Sequence, residues 1–342
     1  MRAERSETAV RPVASTGRGG SITARPTAVG RMLRYLGHHV VEILFLTVIL
    51  LGYIASPNFL TAFNISGLLQ QAAILGILAI GQTIVIISGG FDLSVGAVLA
   101  LCTMVTAVTI SDLGMLSLPI AIVVGAAMGA LSGFAVTWGR IPPFVATLAV
   151  LGIARGLAFV VDNQGIVIAD PNLLALNAAR IGPVPVAALI WAALVTLIAF
   201  VLKFTRTGTY WYAVGGNADS ARLAGVNVGW VRFQAFVLSG ALAGLAGILF
   251  AARSSSGSPG IASGWELDTI AVVVIGGVSL FGGAGSVVRV ALGVLIYLML
   301  TNVMNLVNID TYAQNVLKAV LILAAVTIPL IVQRKGREGR AS

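Results

Sequence analysis

One cysteine and two histidines stand among 342 residues. Cys102 has no second thiol to pair with, which excludes a disulfide framework and a cysteine-built metal site within one chain. It reads as a small core residue, and His38 and His39 read as solvated residues at a membrane edge. Charge is scarce as well. Asp, Glu, Lys and Arg make up 10% of the chain while 58% of it is hydrophobic, and mean hydropathy is +1.00. Soluble domains carry roughly 25% charged residues, so the chain reads as an integral membrane protein. Motifs for chemistry are missing too. No G-x-x-x-x-G-K-[ST] occurs, so there is no P-loop for ATP. The glycines at 282–285 lack the lysine, and H-E-x-x-H, C-x-x-C and G-x-S-x-G do not occur. Catalysis by this chain is not expected, nor is a cofactor or metal bound by it.

What the chain has in quantity is glycine, at 40 residues, much of it inside apolar runs where small side chains let helices approach closely. Gly125, Gly129 and Gly133, and again Gly240 and Gly244, recur every fourth residue on one helix face. That spacing predicts tight packing within one subunit. The net charge of +9 is spread as an orientation signal and not as a nucleic-acid patch: seven arginines precede Leu36, four cations follow Val332, and four lie between Lys203 and Arg232. Loops rich in Lys and Arg stay in the cytoplasm.

Apolar runs of about 20 residues, the length that crosses a bilayer, fall at Val40–Ala55 and near 69–88, 93–110, 116–138, 144–161, 184–202, 233–252, 268–283, 287–306 and 312–332. The expected fold is therefore an all-α polytopic bundle of about ten spans, the fifth and eighth short enough to be re-entrant. Residues 1–32 read as a disordered Arg-rich tail, 33–332 as the transmembrane domain and 333–342 as a basic tail. With both termini cytoplasmic, ten spans place Arg140, the 203–232 loop and Arg289 inside. Asp112, Asp162, Asp170, Glu266, Asp268 and Asp310 then fall outside.

The 203–232 stretch is the long polar interruption. After its Gly-Gly-Asn turn, Asn217 to Leu223 reads as a short helix with an Asn cap, ended by Gly225. Such a helix between two spans is a surface for a soluble partner to push on. Two further interruptions share the pattern GG-x-x-L-x-x-G: Gly89, Gly90, Leu93 and Gly96, then Gly276, Gly277, Leu280 and Gly283. Matching breaks in two halves of a chain point to an internal repeat and to the transport route. Asp92 either caps the helix that follows or meets a polar solute, with Ser94 beside it. Arg155 and Lys318 lie inside spans, where they must pair, snorkel or line water. Gln82, Asn302 and Asn305 are polar groups at comparable depth, able to bond helix to helix or to touch solute.

GGFDLSVGAVLAL at 89–101, PPFVATLAVLGIARGLAFV at 142–160, TRTGTYWYAVGGNADSARLAGVNV at 205–228 and WELDTIAVVVIGGVSLFGGAGSV at 265–287 resemble, in order, the motifs of ribose-type permeases. These are membrane subunits of bacterial ATP-binding-cassette importers for monosaccharides. The resemblance implies a homodimer in the lipid of the inner membrane, a cytoplasmic ATPase that holds the Mg-ATP, and an external sugar-binding protein. It implies an ATPase-coupling role for Asn217, Ala218, Asp219, Ser220, Arg222, Leu223 and Gly225. Expected along the pathway are Gly89, Gly90, Asp92, Ser94, Arg155, Gly276, Gly277 and Asn302. Expected at the binding-protein face are Asp162, Asp170, Glu266 and Asp268. Alternatives are a related permease for an autoinducer, a nucleoside or a branched-chain amino acid, an ion-coupled secondary transporter, and a channel.

Overall fold

The structure is a computed structural model that describes residues 39–320 together with 323 and 327. Both expected tails lie outside those residues. The chain forms α1 (Val40–Ala55), α2 (Ala62–Ile87), α3 (Val95–Leu113), α4 (Ser117–Thr137) and α5 (Pro143–Val161). After α5 come β1 (Ile166–Val167), α6 (Pro171–Ala178), β2 (Arg180–Ile181) and β3 (Val184–Pro185). The chain continues through α7 (Val186–Phe204), α8 (Arg206–Gly216), α9 (Ala218–Leu223), α10 (Val228–Ser254), β4 (Ser256–Gly257), α11 (Trp265–Ile275) and α12 (Val287–Leu306). Residues 311–320 are helical as well.

This is a helical membrane protein. Among the described residues six helical stretches are long and apolar enough to cross a bilayer, one of them the 43-residue run Val95–Thr137 that α3 and α4 share; α1 is shorter. Each of the first nine expected runs contains a helix, and the tenth continues past the described residues.

Helix α2 is the axis of the bundle. Every residue from Ala72 to Ile87 is buried, as an all-round apolar sequence requires. Helix α10 lies along α4 at the distance that glycine allows. A Cβ on Gly125 would meet the Gly240 carbonyl, and one on Gly244 would come 2.8 Å from the Ala121 carbonyl. The two predicted small-residue faces therefore meet each other within one chain. Cys102, fully buried, donates its thiol to the Ala121 carbonyl at 3.2 Å, the core role expected of it.

The eighth run departs from a simple crossing. Gly257 packs on Thr103 and Ala107 at the middle of α3, whereas the Ala262 carbonyl and Glu266 pack on Gly96 in its first turn. Residues 258–264 therefore run back along α3, and α11, 11 residues long, starts beside the first turn of that helix. The fifth run, α5, is a regular 19-residue helix.

Candidate functional site

The polar stretch folds as two helices where one was expected. Thr205 caps α8, its hydroxyl accepting from the Gly208 amide at 3.2 Å. Gly215 and Gly216 then close α8 and do not form a separate turn. Asn217 caps α9 directly after, accepting from the Ser220 amide at 2.9 Å, and Gly225 follows α9 at φ +82°. Ala221 faces inward, while Asn217, Asp219, Ser220, Arg222 and Leu223 are exposed and Ala218 is half-buried. Asp219 and Arg222 pair at 3.1 Å. An exposed i,i+3 pair of this kind adds only a few tenths of a kcal/mol, so the face is shaped more by capping than by charge.

The two glycine breaks converge on this segment. Helices α2 and α11 end in the same hydrogen-bond pattern. Gly89 donates to Ile86 and Gly90 to Val85; Gly277 donates to Val274 and Val278 to Val273. Gly89 (φ +84°) and Gly277 (φ +78°) hold the left-handed position that ends such helices. The shared ends are therefore offset by one residue from the GG-x-x-L-x-x-G match, in which Gly89 faces Gly276. Beyond them the paths diverge, since Gly90 leads through an extended segment into α3 while Gly282 and Gly283, both at positive φ, turn the chain toward α12.

Gly283 donates its amide to the Ile87 carbonyl at 3.0 Å, tying one break to the other. Gly215 sits over that bond: a Cβ there would strike the Ile87 oxygen and come 2.8 Å from the Gly283 nitrogen. Tyr212, one turn earlier on α8, donates its hydroxyl to the Gly285 carbonyl at 2.8 Å, and burial raises its phenol above the ordinary value, so it stays a donor at neutral pH. Sequence reasoning noticed Gly215 and Gly216 only as a turn. Their signal was that they form a Gly-Gly pair, as both breaks do.

Of the expected pathway residues, Asp92 and Ser94 are 1% exposed. The Asp92 carboxylate accepts from the Ser94 amide (2.9 Å) and hydroxyl (2.6 Å) and from the Ser239 hydroxyl on α10 (2.8 Å). Within this chain Asp92 fastens the residue before α3 to α10; Ser94, not Asp92, is the N-cap residue of α3, and Ser239 was not anticipated. Arg155 is half-buried. Its Nη1 donates to the carbonyls of Pro259 (2.6 Å) and Ile261 (2.7 Å), stapling the re-entrant loop to α5. Asn302 on α12 exchanges amide hydrogen bonds with Asn64 on α2 at 2.7 and 2.8 Å. The pair borders a cavity of about 180 Å³ lined also by Gln71, Arg253 and Asn305. Gly276 packs on Val290, 2.6 Å from where its Cβ would stand. The eight residues thus fall at the glycine junction, at the re-entrant loop and at the Asn64–Asn302 cavity; they do not share one surface.

The four acids expected at the outer face also separate. Asp162 accepts from the Gln164 and Gly165 amides, and Asp170 caps α6 through the Asn172 and Leu173 amides. Both stand in the loop region after α5. Glu266 and Asp268 are instead half-buried in the first turn of α11, beside α3 and α12. Glu266 accepts from the Gly264 amide at 3.2 Å, and Asp268 accepts from the Tyr297 hydroxyl. Lys318 lies 5.5 Å from the centre of the Tyr297 ring, so it stacks inward.

The comparisons with known proteins decide the family. The model of the family described as the branched-chain amino acid transport system permease component matches residues 64–326. The chain belongs to this permease family. It is 41% identical over 280 residues to the ribose import permease protein RbsC of Escherichia coli K12, covering 80% of this chain and 87% of that protein. It is 38% identical over 292 residues to the L-arabinose transport system permease protein AraH of the same strain, covering 82% and 87%. The ribose import permease protein RbsC of Bacillus subtilis is 37% identical over 293 residues, covering 83% and 90%. No solved structure matches.

Proposed function

We propose that this chain is the membrane-spanning permease subunit of an ATP-binding-cassette importer, carrying a monosaccharide such as ribose or a related sugar inward by alternating access. The observation that carries the reading is the placement of α9, an exposed helix joined without a linker to the glycine junction where both broken segments meet. The ribose and arabinose permeases among its relatives favour a sugar over the other solutes.

In this reading two copies form the pore in a bacterial inner membrane with both termini in the cytoplasm. A separate ATPase holds the Mg-ATP and grips α9 through Asn217, Asp219, Ser220, Arg222 and Leu223. A sugar-binding protein docks on the opposite side, around Asp162 and Asp170. Closing of the ATPase moves α8 and α9, and energy reaches the pore as the difference in contacts between two arrangements of the junction. The sugar meets few strong polar partners on the way, which favours release.

The test reverses the α9 ion pair. Asp219→Arg with Arg222→Glu, reconstituted with the ATPase and the binding protein, should lose sugar-stimulated ATP hydrolysis while expression and membrane insertion stay normal. Full stimulation in that variant refutes the coupling role, and uptake that persists without any ATPase refutes the importer reading.

A further inference from the structure

The end of α4, the turn at 138–142 and the start of α10 enclose a cavity of about 400 Å³ that the transport reading leaves without a purpose. Three arginines line it: Arg140 from the turn, Arg222 from α9 and Arg232 from α10. No acid is among its lining residues, and Asp219, paired with Arg222, is largely exposed. The cavity therefore carries an excess of about two positive charges, and like charges gathered at one site repel. Arg232 is half-buried, and its Nε is fully buried with no hydrogen-bond partner among the described residues. Arg140 is held at φ +54°, a left-handed conformation uncommon outside glycine. Unbalanced positive charge gathered in one hollow calls for an anion.

The walls say which kind. A chain of aromatic rings runs beside the cavity: Phe134 to Trp138 at 5.5 Å, Trp138 to Phe233 at 5.1 Å and Phe233 to Trp230 at 5.5 Å between centroids. Phe134, Trp138 and Trp230 are exposed, as are Phe144 and Val145 on α5. Tryptophans at the ends of spans sit at the depth of the lipid headgroups. A phospholipid offers both parts that this site takes, a phosphate for the arginines and acyl chains for the exposed aromatic and aliphatic collar. Basic pockets between spans recognise such headgroups. We propose that Arg140 and Arg232 bind the phosphate of an anionic phospholipid at the ends of α4, α5 and α10. An acidic side chain of the ATPase would satisfy the charges but leave the collar uncovered.

The full chain, purified in detergent, is titrated with phosphatidylglycerol, with phosphatidylcholine and with inorganic phosphate, and bound lipid is counted by native mass spectrometry. Phosphatidylglycerol should bind and be retained through delipidation, phosphatidylcholine should not, and inorganic phosphate should compete only weakly. Arg140→Gln and Arg232→Gln should each weaken phosphatidylglycerol binding about fivefold, as expected for one cation near the lipid surface. Lys203→Gln, an exposed cation outside the cavity, should change nothing. Arg140 lies in an exposed turn, so its variant remains informative should Arg232→Gln fail to fold. Equal retention by the Arg140 and Lys203 variants overturns the proposal, as does equal binding of phosphatidylcholine. Inorganic phosphate that displaces the lipid at matching concentration makes the site one for free phosphate and overturns it. Loss of ATPase association with unchanged lipid binding makes it a protein contact and overturns it too.

Discussion

Alanine at Gly215 tests the junction on which the coupling reading rests. Its backbone is helical, so the residue could be alanine as far as conformation goes, and alanine would add up to about 1 kcal/mol of helix propensity. Space forbids it. The new methyl would strike the Ile87 carbonyl and stand 2.8 Å from the Gly283 nitrogen, and both neighbours are backbone that cannot rotate away. Overpacking of this kind costs about 1–3 kcal/mol. Forcing Gly283 off Ile87 breaks their 3.0 Å hydrogen bond and costs about 1–3 kcal/mol more. The net loss comes to about 3 kcal/mol, or a fall of about 6–12 °C in the unfolding midpoint. Thermal unfolding of the purified chain reads this directly, with Gly152→Ala as reference, because a Cβ at Gly152 on α5 meets nothing within 4 Å. Gly208→Ala is the second control. It strikes Val201 and Leu202 at the α7–α8 corner without touching either break, so it should destabilise the chain yet keep uptake coupled to hydrolysis. Gly215→Ala should lower both the midpoint and the sugar moved per ATP. An unfolding curve for Gly215→Ala that matches Gly152→Ala refutes the reasoning.

Two further outcomes follow from the buried polar ties. Asp92→Ala leaves the hydroxyls of Ser94 and Ser239 and the Ser94 amide without their acceptor and should cost about 3–5 kcal/mol, whereas Ser239→Ala should cost about 1 kcal/mol; equal losses in unfolding measurements would show that the carboxylate is not the hub. Arg155→Met removes the donor to Pro259 and Ile261 and should raise hydrogen exchange across 258–264 at least tenfold, with α5 itself unchanged.

The sequence made the helices legible because apolar runs of membrane length have few other fates. It also located Asn217 as a cap and the faces of Gly125 and Gly240 as close-packing surfaces, since both follow from local spacing; that the two faces meet each other did not. Four further features were not legible, each for a physical reason. Helix α8 mixes Thr, Gly and aromatic residues of weak helix propensity, and it forms because Trp211 and Val214 pack into the bundle. The return of the chain along α3 depends on Arg155 reaching carbonyls more than a hundred residues away, a pairing that no local pattern encodes. The two glycine breaks matched in letters at Gly89 and Gly276, yet the helix ends match at Gly89 and Gly277, because the hydrogen-bond pattern selects the glycine at positive φ and not the first of a pair. Glu266 and Asp268 were read as outer acids from the count of spans and the sign of the loop charges. Charge alone does not reveal that α11 begins within the fold.

The connections on either side of α9 supply the last argument. Going backward, α8 carries Gly215 onto the bond between Ile87 and Gly283. Going forward, Asn227 caps α10, whose Ser239 holds Asp92 at the other end of the first break. A push on α9 therefore reaches residues 87–94 from both ends, through two ties that do not touch each other. Effects of separated sites normally add within about 0.3–0.5 kcal/mol. If the segment switches as one element, the effects of Gly215→Ala and Ser239→Ala on the sugar moved per ATP should instead depart from their product by more than about twofold, the factor matching about 0.5 kcal/mol, while their effects on the unfolding midpoint stay additive. No departure in either measurement would mean that the two ties act on independent parts of the pore, and the first break would then be a static support.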